Sequence, residues 1–267
     1  TNPEWFKYCV EHCQPSMGRA IADLPDREWS KLALENINQC ILNLSLKPIK
    51  AHGLKARLQR VRDRLVSRPN TEWDDLESSW KINAEKEHQR DRFALFISPE
   101  INESKPTNRL FHPDDLDESV VEWNTPNGKS ITRSPNAFTD AVLPAIVVAK
   151  EIHIIDRFFS IDSTSSYTTN YTRIFHHLRQ NSNKFPDITI HCCPDADIPP
   201  RHFSQGLNSI YKSIIPKNAS LKCLIWKVAG GAVAQGAHPF HNRYILTNML
   251  GIVVGYGTDS AASSTDA

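Results

Sequence analysis

The densest run of reactive side chains lies near the C-terminus. It reads His238-Pro-Phe-His241-Asn-Arg243-Tyr-Ile-Leu-Thr247-Asn248, followed by Gly251-Ile-Val-Val-Gly255-Tyr-Gly257-Thr-Asp259. Strand alternation places His241, Arg243, Ile245 and Thr247 on one face, with Tyr244 and Leu246 on the other. A His and an Arg two apart on one strand face form a clamp for a phosphoryl group. Arg supplies a planar fork of donors to phosphoryl oxygens. His acts near neutral pH as nucleophile or proton carrier. Gly255 and Gly257 are predicted to allow close backbone approach or positive φ beside the clamp. The plainer alternative is a surface strand with an ordinary His and a structural Arg. The glycine pattern that follows favours the phosphate site.

These residues need a scaffold, and the sequence from Ser134 onward predicts one. Ser134 is a helix cap, Pro135 occupies the first helical position, and the helix runs to about 150. Strands are predicted over 151–156, 188–191, 221–226, 243–247 and 251–255, with helices over 168–180 and 203–215 between them. That alternation predicts an α/β unit with a mostly parallel sheet and helices on both faces. Asp156 ends the first strand. Cys192 and Cys193 end the second and are expected to be buried. Asp195 and Asp197 follow, at the edge where open α/β sheets place ligands. Helix capping is the expected role for either, ahead of metal binding.

The first 92 residues carry helical spacing throughout. Helices are predicted over 4–13, 26–44 and 51–67. In the third, Leu54, Leu58, Val61 and Leu65 form one stripe. A fourth is predicted from a capping-box-like start at Thr71 and Asp74, with Trp73, Leu76, Trp80 and Ala84 at helical spacing. Residues 93–132 read as a strand (93–97), a proline-containing linker and a strand-turn-strand over 120–132. The expected organisation is a helical domain over 1–92, a strand and linker region over 93–132, and the α/β domain over 133–267. The third helix carries Lys55, Arg57, Arg60 and Arg64, a candidate surface for nucleic acid or an acidic partner. The acidic run Glu72, Asp74, Asp75 and Glu77 favours internal pairing of those charges instead.

Bulk properties narrow the function classes. Net charge is +1 over 267 residues, so nucleic-acid binding would have to come from a local patch. No apolar run approaches the ~20 residues of a membrane span. The polar start, Thr-Asn-Pro-Glu-Trp, predicts no signal peptide. The six cysteines match no disulfide framework, which predicts a reduced, cytoplasmic protein. Cys9, His12 and Cys13 share a helix face, but packing is expected there rather than zinc. There is no Walker loop, dinucleotide fingerprint or serine nucleophile elbow.

The stretch around His241 resembles the His-x-Lys-(four residues)-Asp motif of the phospholipase D superfamily. Here it stands as His241-x-Arg243-(four residues)-Asn248. Asp156 followed by Arg157-Phe158-Phe159 resembles the family's strand-Asp-aromatic edge, and Arg133-Ser-Pro fits the helix before it. The pattern is most similar to a divergent single-motif branch, which includes C-terminal domains of MIT-domain proteins and bacterial modules of mobile-element and antiphage defence loci. The resemblance covers about 133–259. It implies a phosphodiester ligand, DNA or RNA first, and no cofactor or metal. Catalytic His241 and Arg243 would be supported by Asn248, Asp156, Arg133, Gly255, Gly257 and Asp259. A homodimer would supply the second motif, and a multi-component system would supply protein partners. The chain departs from the family in having Arg for Lys and Asn for Asp. Asn cannot orient a histidine as a carboxylate does. Eukaryotic members of the branch are thought to bind and assemble, so the alternative function is a non-catalytic interaction module for protein, anionic lipid or nucleic acid.

Overall fold

The computed structural model describes residues 3–14, 17–25, 28–68, 71–74, 76, 80–90, 92–98, 110–124, 126, 128–161, 166–182, 184–193, 199–226 and 242–255. The chain divides into two compact units, Thr1–Gly128 and Lys129–Ala267. No described helix is long and apolar enough to cross a membrane.

In the first unit, α1 (Pro3–His12), α2 (Trp29–Asn43) and α3 (Pro48–Arg62) come from the helical spacing noted above. Pro48 at the start of α3 lacks the N–H that no first-turn residue could pair. Leu54 and Leu58 bury their stripe against Ile37, with Phe6, Trp29 and Ile41 packed around them. Two short parallel pairs follow: β1 (Ala22–Asp23) with β2 (Val66–Ser67), and β3 (Phe96–Ile97) with β4 (Leu110–Phe111).

The fourth helix, α4, spans only Trp80–Arg90. Thr71 is not its cap; the Thr71 hydroxyl donates to the Arg68 carbonyl. The Asp74 N–H is taken by Asn83 Oδ1 (3.0 Å), and Asn83 Nδ2 returns a bond to the Asp74 carbonyl (3.1 Å). The segment before α4 therefore lies along the helix instead of extending it, and Leu76 is exposed.

Among the described residues of 120–132, the expected strand-turn-strand does not form. Residues 121–123 form a turn, with Trp123 N–H bonded to the Val120 carbonyl. Trp123, Leu116 and Val120 bury together, with Tyr8 of α1 packed on them. Arg19 stacks on the Trp123 ring at 3.9 Å and donates to its carbonyl. Residues 110–124 are thus part of the first unit's core.

The second unit is α5 (Pro135–Ile146), β5 (Glu151–Ile155), α6 (Ser166–Asn181), β6 (Asp187–Cys192), α7 (Pro200–Tyr211), β7 (Leu221–Ile225), β8 (Arg243–Thr247) and β9 (Gly251–Val254). Ser134 caps α5, its hydroxyl accepting from Ala137 N–H at 3.2 Å. The strands form one mixed sheet in the order β7-β6-β5-β8-β9. β5, β6 and β7 are parallel, β8 is antiparallel to β5, and β9 is antiparallel to β8.

The described helices cover one face of this sheet, not two. Ile152, Ile154, Ile188, Ile190, Cys192 and Ile245 join Phe138, Val142, Tyr171, Phe175, Phe203 and Tyr211 in one core. Each step β5-α6-β6-α7-β7 moves the same way along the sheet, and right-handed crossovers then put both helices on the same side. Gly206 of α7 belongs to this packing: a Cβ there would sit 2.5 Å from Ile161 Cδ1. On the other face alternate His153, Ile155, His191, Leu224, Tyr244, Leu246 and Val253, of which Leu224 and Val253 are exposed.

Candidate functional site

The site is built where β5 ends. Antiparallel pairing sets Ile155 opposite Tyr244, so the start of β8 falls beside the residue that follows β5. That residue is Asp156, fully buried. Its N–H donates to the His191 carbonyl at 3.0 Å, and its Oδ1 accepts from Phe158 N–H at 3.0 Å. The second bond tightens the chain into a side-chain-closed turn. Arg243 brings its guanidinium Nε to 3.7 Å from Asp156 Oδ1. That is ion-pair range but too long for a direct hydrogen bond. Nη1 of Arg243 reaches the Gly255 carbonyl at 3.4 Å. Nε of Arg243 is buried, and among the described residues no acceptor lies within hydrogen-bonding distance of it.

Two neighbours complete the group. Arg157 lies with its guanidinium 4.4 Å from the centre of the Phe158 ring, and the Arg243 guanidinium lies 5.1 Å from the same centre. Arg133 precedes the cap of α5. The short 147–150 connection turns α5 antiparallel to β5, so its N-terminus falls at this same edge. The N-termini of α6 and α7 do likewise, since each enters after a parallel strand. Helix N-termini favour anions through their unpaired N–H groups and dipoles. Among the described residues, the Arg157 and Arg243 guanidinium groups stand at this edge with the Asp156 carboxylate.

The structure therefore brings together Asp156, Arg243 and Gly255 of the sequence-derived set, and places Arg133 at the same edge. Gly255 has no positive φ, and among the described residues nothing lies within 4 Å of a Cβ placed on it. Asn248 lies elsewhere. It sits past the far end of β8, about 16 Å along the strand from Arg243, and its Oδ1 accepts from Lys150 N–H at 2.8 Å. Thr247 closes the β8–β9 turn, its hydroxyl accepting from Met249 and Leu250 N–H at 3.0 Å each. Thr247 thus holds the hairpin turn, and Asn248 ties that turn to the residue before β5. His238, His241, Gly257, Asp259, Asp195 and Asp197 lie outside the described residues. Arg157 and Phe158 were not singled out from the sequence as site residues. Their position next to the strand-ending Asp156 was the available signal.

The basic surface on α3 is a separate feature of the first unit. Arg57, Arg60 and Arg64 line one side of a cavity of about 300 Å³ facing α1, while Lys55 is exposed outside it. Arg57 pairs with Glu11 at 3.2 Å. Of the acidic run, Asp74 contacts Lys86 at 3.5 Å rather than α3, and Asp75 and Glu77 lie outside the described residues. Among the described residues no group of three His, Cys, Asp or Glu side chains could hold a metal ion. Burial pushes the Cys9 thiol up to about 11 and the Cys13 thiol up to about 12. Cys192 and Cys193 are buried, as expected from the sequence, and Cys192 Sγ lies 3.5 Å from Cys223 Sγ, both as free thiols.

On the open sheet face a titratable chain links three strands. Trp226 Nε1 donates to His191 Nδ1 at 3.2 Å, and His191 Nε2 lies 3.0 Å from His153 Nδ1. Trp can only donate, so neutral His191 must carry its proton on Nε2 and donate it to His153. Burial first, and the neighbouring His153 second, hold His191 below its ordinary value of 6.5. The folded state then binds fewer protons than the unfolded state. The stability this gives is present above pH 6.5 and lost as pH falls through the lowered value. Thermal melts across this range should show the C-terminal unit weakening on acidification, and His191→Phe should flatten that dependence. An unchanged slope in the variant would contradict the assignment.

Compared with protein-family models, curated proteins and solved structures, the chain matches none. What the fold defines is a class: an α/β unit with a mixed five-stranded sheet, its described helices on one face and Arg243 beside Asp156 where β5 ends.

Proposed function

We propose that the C-terminal unit is a phospholipase D-like module that grips a phosphodiester at the edge where β5 ends. The observation that carries this is Arg243. Its Nε–H is buried, lacks an acceptor among the described residues, and is held near Asp156 without being consumed by it. An unsatisfied buried donor is costly, and a phosphoryl oxygen would satisfy it through a charge-assisted bond. DNA or RNA is the proposed ligand, in a bacterial-type defence or mobile-element protein acting with protein partners.

Catalysis on this site follows the motif resemblance. His241 attacks phosphorus, forming a P–N bond as the bond to the leaving oxygen breaks. A second histidine, from a second copy of the chain, gives that oxygen a proton. Water then attacks the phosphorus as the P–N bond to His241 breaks, giving its proton back to the second histidine. Arg243 stabilises the charge on the non-bridging oxygens. The test is cleavage of single- and double-stranded DNA, RNA and bis-p-nitrophenyl phosphate in EDTA, wild type against His241→Ala, with light scattering for oligomeric state. Cleavage at least a hundredfold above the variant is expected, on the order of what a lost nucleophile costs. Equal rates would remove the catalytic step.

A second reading is a non-catalytic interaction module. It is favoured by Asn248, whose side chain is spent on Lys150 far from Arg243, and by the half-apolar open sheet face. Phosphodiester binding without turnover, in dimer as in monomer, would select it.

A further inference from the structure

The sequence pair Phe158-Phe159 splits in the fold. Phe159 is 2% exposed and packs edge-on against Tyr167 and Tyr171. Phe158 turns outward and keeps 46% of its surface in solvent. Its placement is set by Asp156, whose carboxylate accepts the Phe158 N–H at 3.0 Å. Its ring is attended by Arg157 at 4.4 Å and Arg243 at 5.1 Å, both within cation–π range. A large apolar ring left half in water, positioned by the carboxylate that also faces the candidate phosphate-binding arginine, is a contact surface in search of a planar group.

The chemistry of that group follows from its surroundings. Two guanidinium groups beside the ring repel a cationic headgroup, so the aromatic side chain does not serve as part of a cage for a quaternary ammonium. They attract phosphate, and guanidinium planes and phenyl rings both stack on nucleobases. A phosphate oxygen bound to a guanidinium nitrogen of Arg243 sits at most about 9 Å from the Phe158 ring centre, given the 5.1 Å from that centre to the guanidinium carbon. Stacked strand advances by about 3.4 Å per nucleotide, so that span is at most about three nucleotides. Paired bases are already stacked within a duplex and present no free face. We infer that the ligand of this site is single-stranded nucleic acid, with an unpaired base stacked on Phe158 and its neighbouring phosphate on Arg243. This rests on the phosphate site proposed above.

The test measures fluorescence anisotropy with the full chain and three probes: a short oligothymidylate, the same backbone with abasic sites, and a duplex of equal length. Wild type should bind the base-bearing strand about tenfold more tightly than the abasic one, as one stacked base contributes. Phe158→Ala should erase that preference, and Phe158→Trp should keep it. Melting curves confirm that each variant is folded, as an exposed ring permits. Equal affinity of wild type for base-bearing and abasic strands, with binding of both lost in Arg243→Ala, would overturn the stacking alone. Failure of wild type to bind any strand would overturn the phosphate site together with it. Tighter binding to the duplex, or to vesicles of anionic phospholipid, would overturn the single-stranded substrate class.

Discussion

Replacing Asp156 by Ala should lower the stability of the C-terminal unit by about 3 kcal/mol and its melting temperature by about 10 °C. Three losses combine. Arg243, one-fifth exposed, would keep its charge without the carboxylate at 3.7 Å. Phe158 N–H would lose its acceptor, and the turn after β5 would loosen. A cavity would open at a fully buried position. Leaving one member of a buried ion pair behind is the main cost, because its desolvation is no longer offset. Asp156→Asn keeps an acceptor for Phe158 N–H and should retain more stability, while still releasing Arg243. Calorimetry on both variants is the check. If Ala and Asn melt alike, and both like wild type, the carboxylate is not the hub of the site.

The second large effect belongs to the other unit. Glu87 of α4 is 1% exposed at its side chain and accepts from Arg68 Nη1 at 3.2 Å and from Arg90 Nε at 2.8 Å. Arg68 is buried as well, its guanidinium 3.8 Å from the Phe93 ring centre and its Nη2 bonded to the Arg92 carbonyl. Glu87→Ala should cost about 3–5 kcal/mol by stranding Arg68. Glu87→Gln, which keeps an acceptor but not the charge, should cost about 1–3 kcal/mol. Replacing Glu87 and Arg68 together by Leu and Met should recover much of the loss. Denaturant unfolding of the first unit would show this ordering. A harmless Glu87→Ala would mean that the pair is not a keystone of its core.

The elements of 133–267 were legible in the sequence because their signals are local. Ser134-Pro135 marks a helix start, and the apolar positions of 151–155 and 187–192 alternate. What local signals do not carry is which way successive strands step along the sheet. That direction decides whether one or two faces are covered. A hint was present: Glu151, His153, Asp187, Thr189, His191 and Lys222 put polar groups on every second position, as a sheet buried on one face requires. The α4 boundary was misread because Trp73 and Leu76 continue the helical period. The deciding interaction, Asn83 with the backbone of Asp74, is specific to the tertiary fold. Arg243 and Asp156, which the structure brings to 3.7 Å, were singled out from motif and strand position. Asn248 was grouped with Arg243 by the motif alone, although the strand predicted over 243–247 already separates the two by its full length.

The most direct measurement is isothermal titration of a dinucleoside monophosphate into wild type, Arg243→Gln and Arg57→Gln. If the edge of β5 holds the phosphodiester, Arg243→Gln should weaken binding at least tenfold, the loss of one charge-assisted contact of about 1.5–3 kcal/mol, and Arg57→Gln should bind as wild type. Equal affinity in Arg243→Gln, or loss confined to Arg57→Gln, would contradict the placement of the site on the second unit.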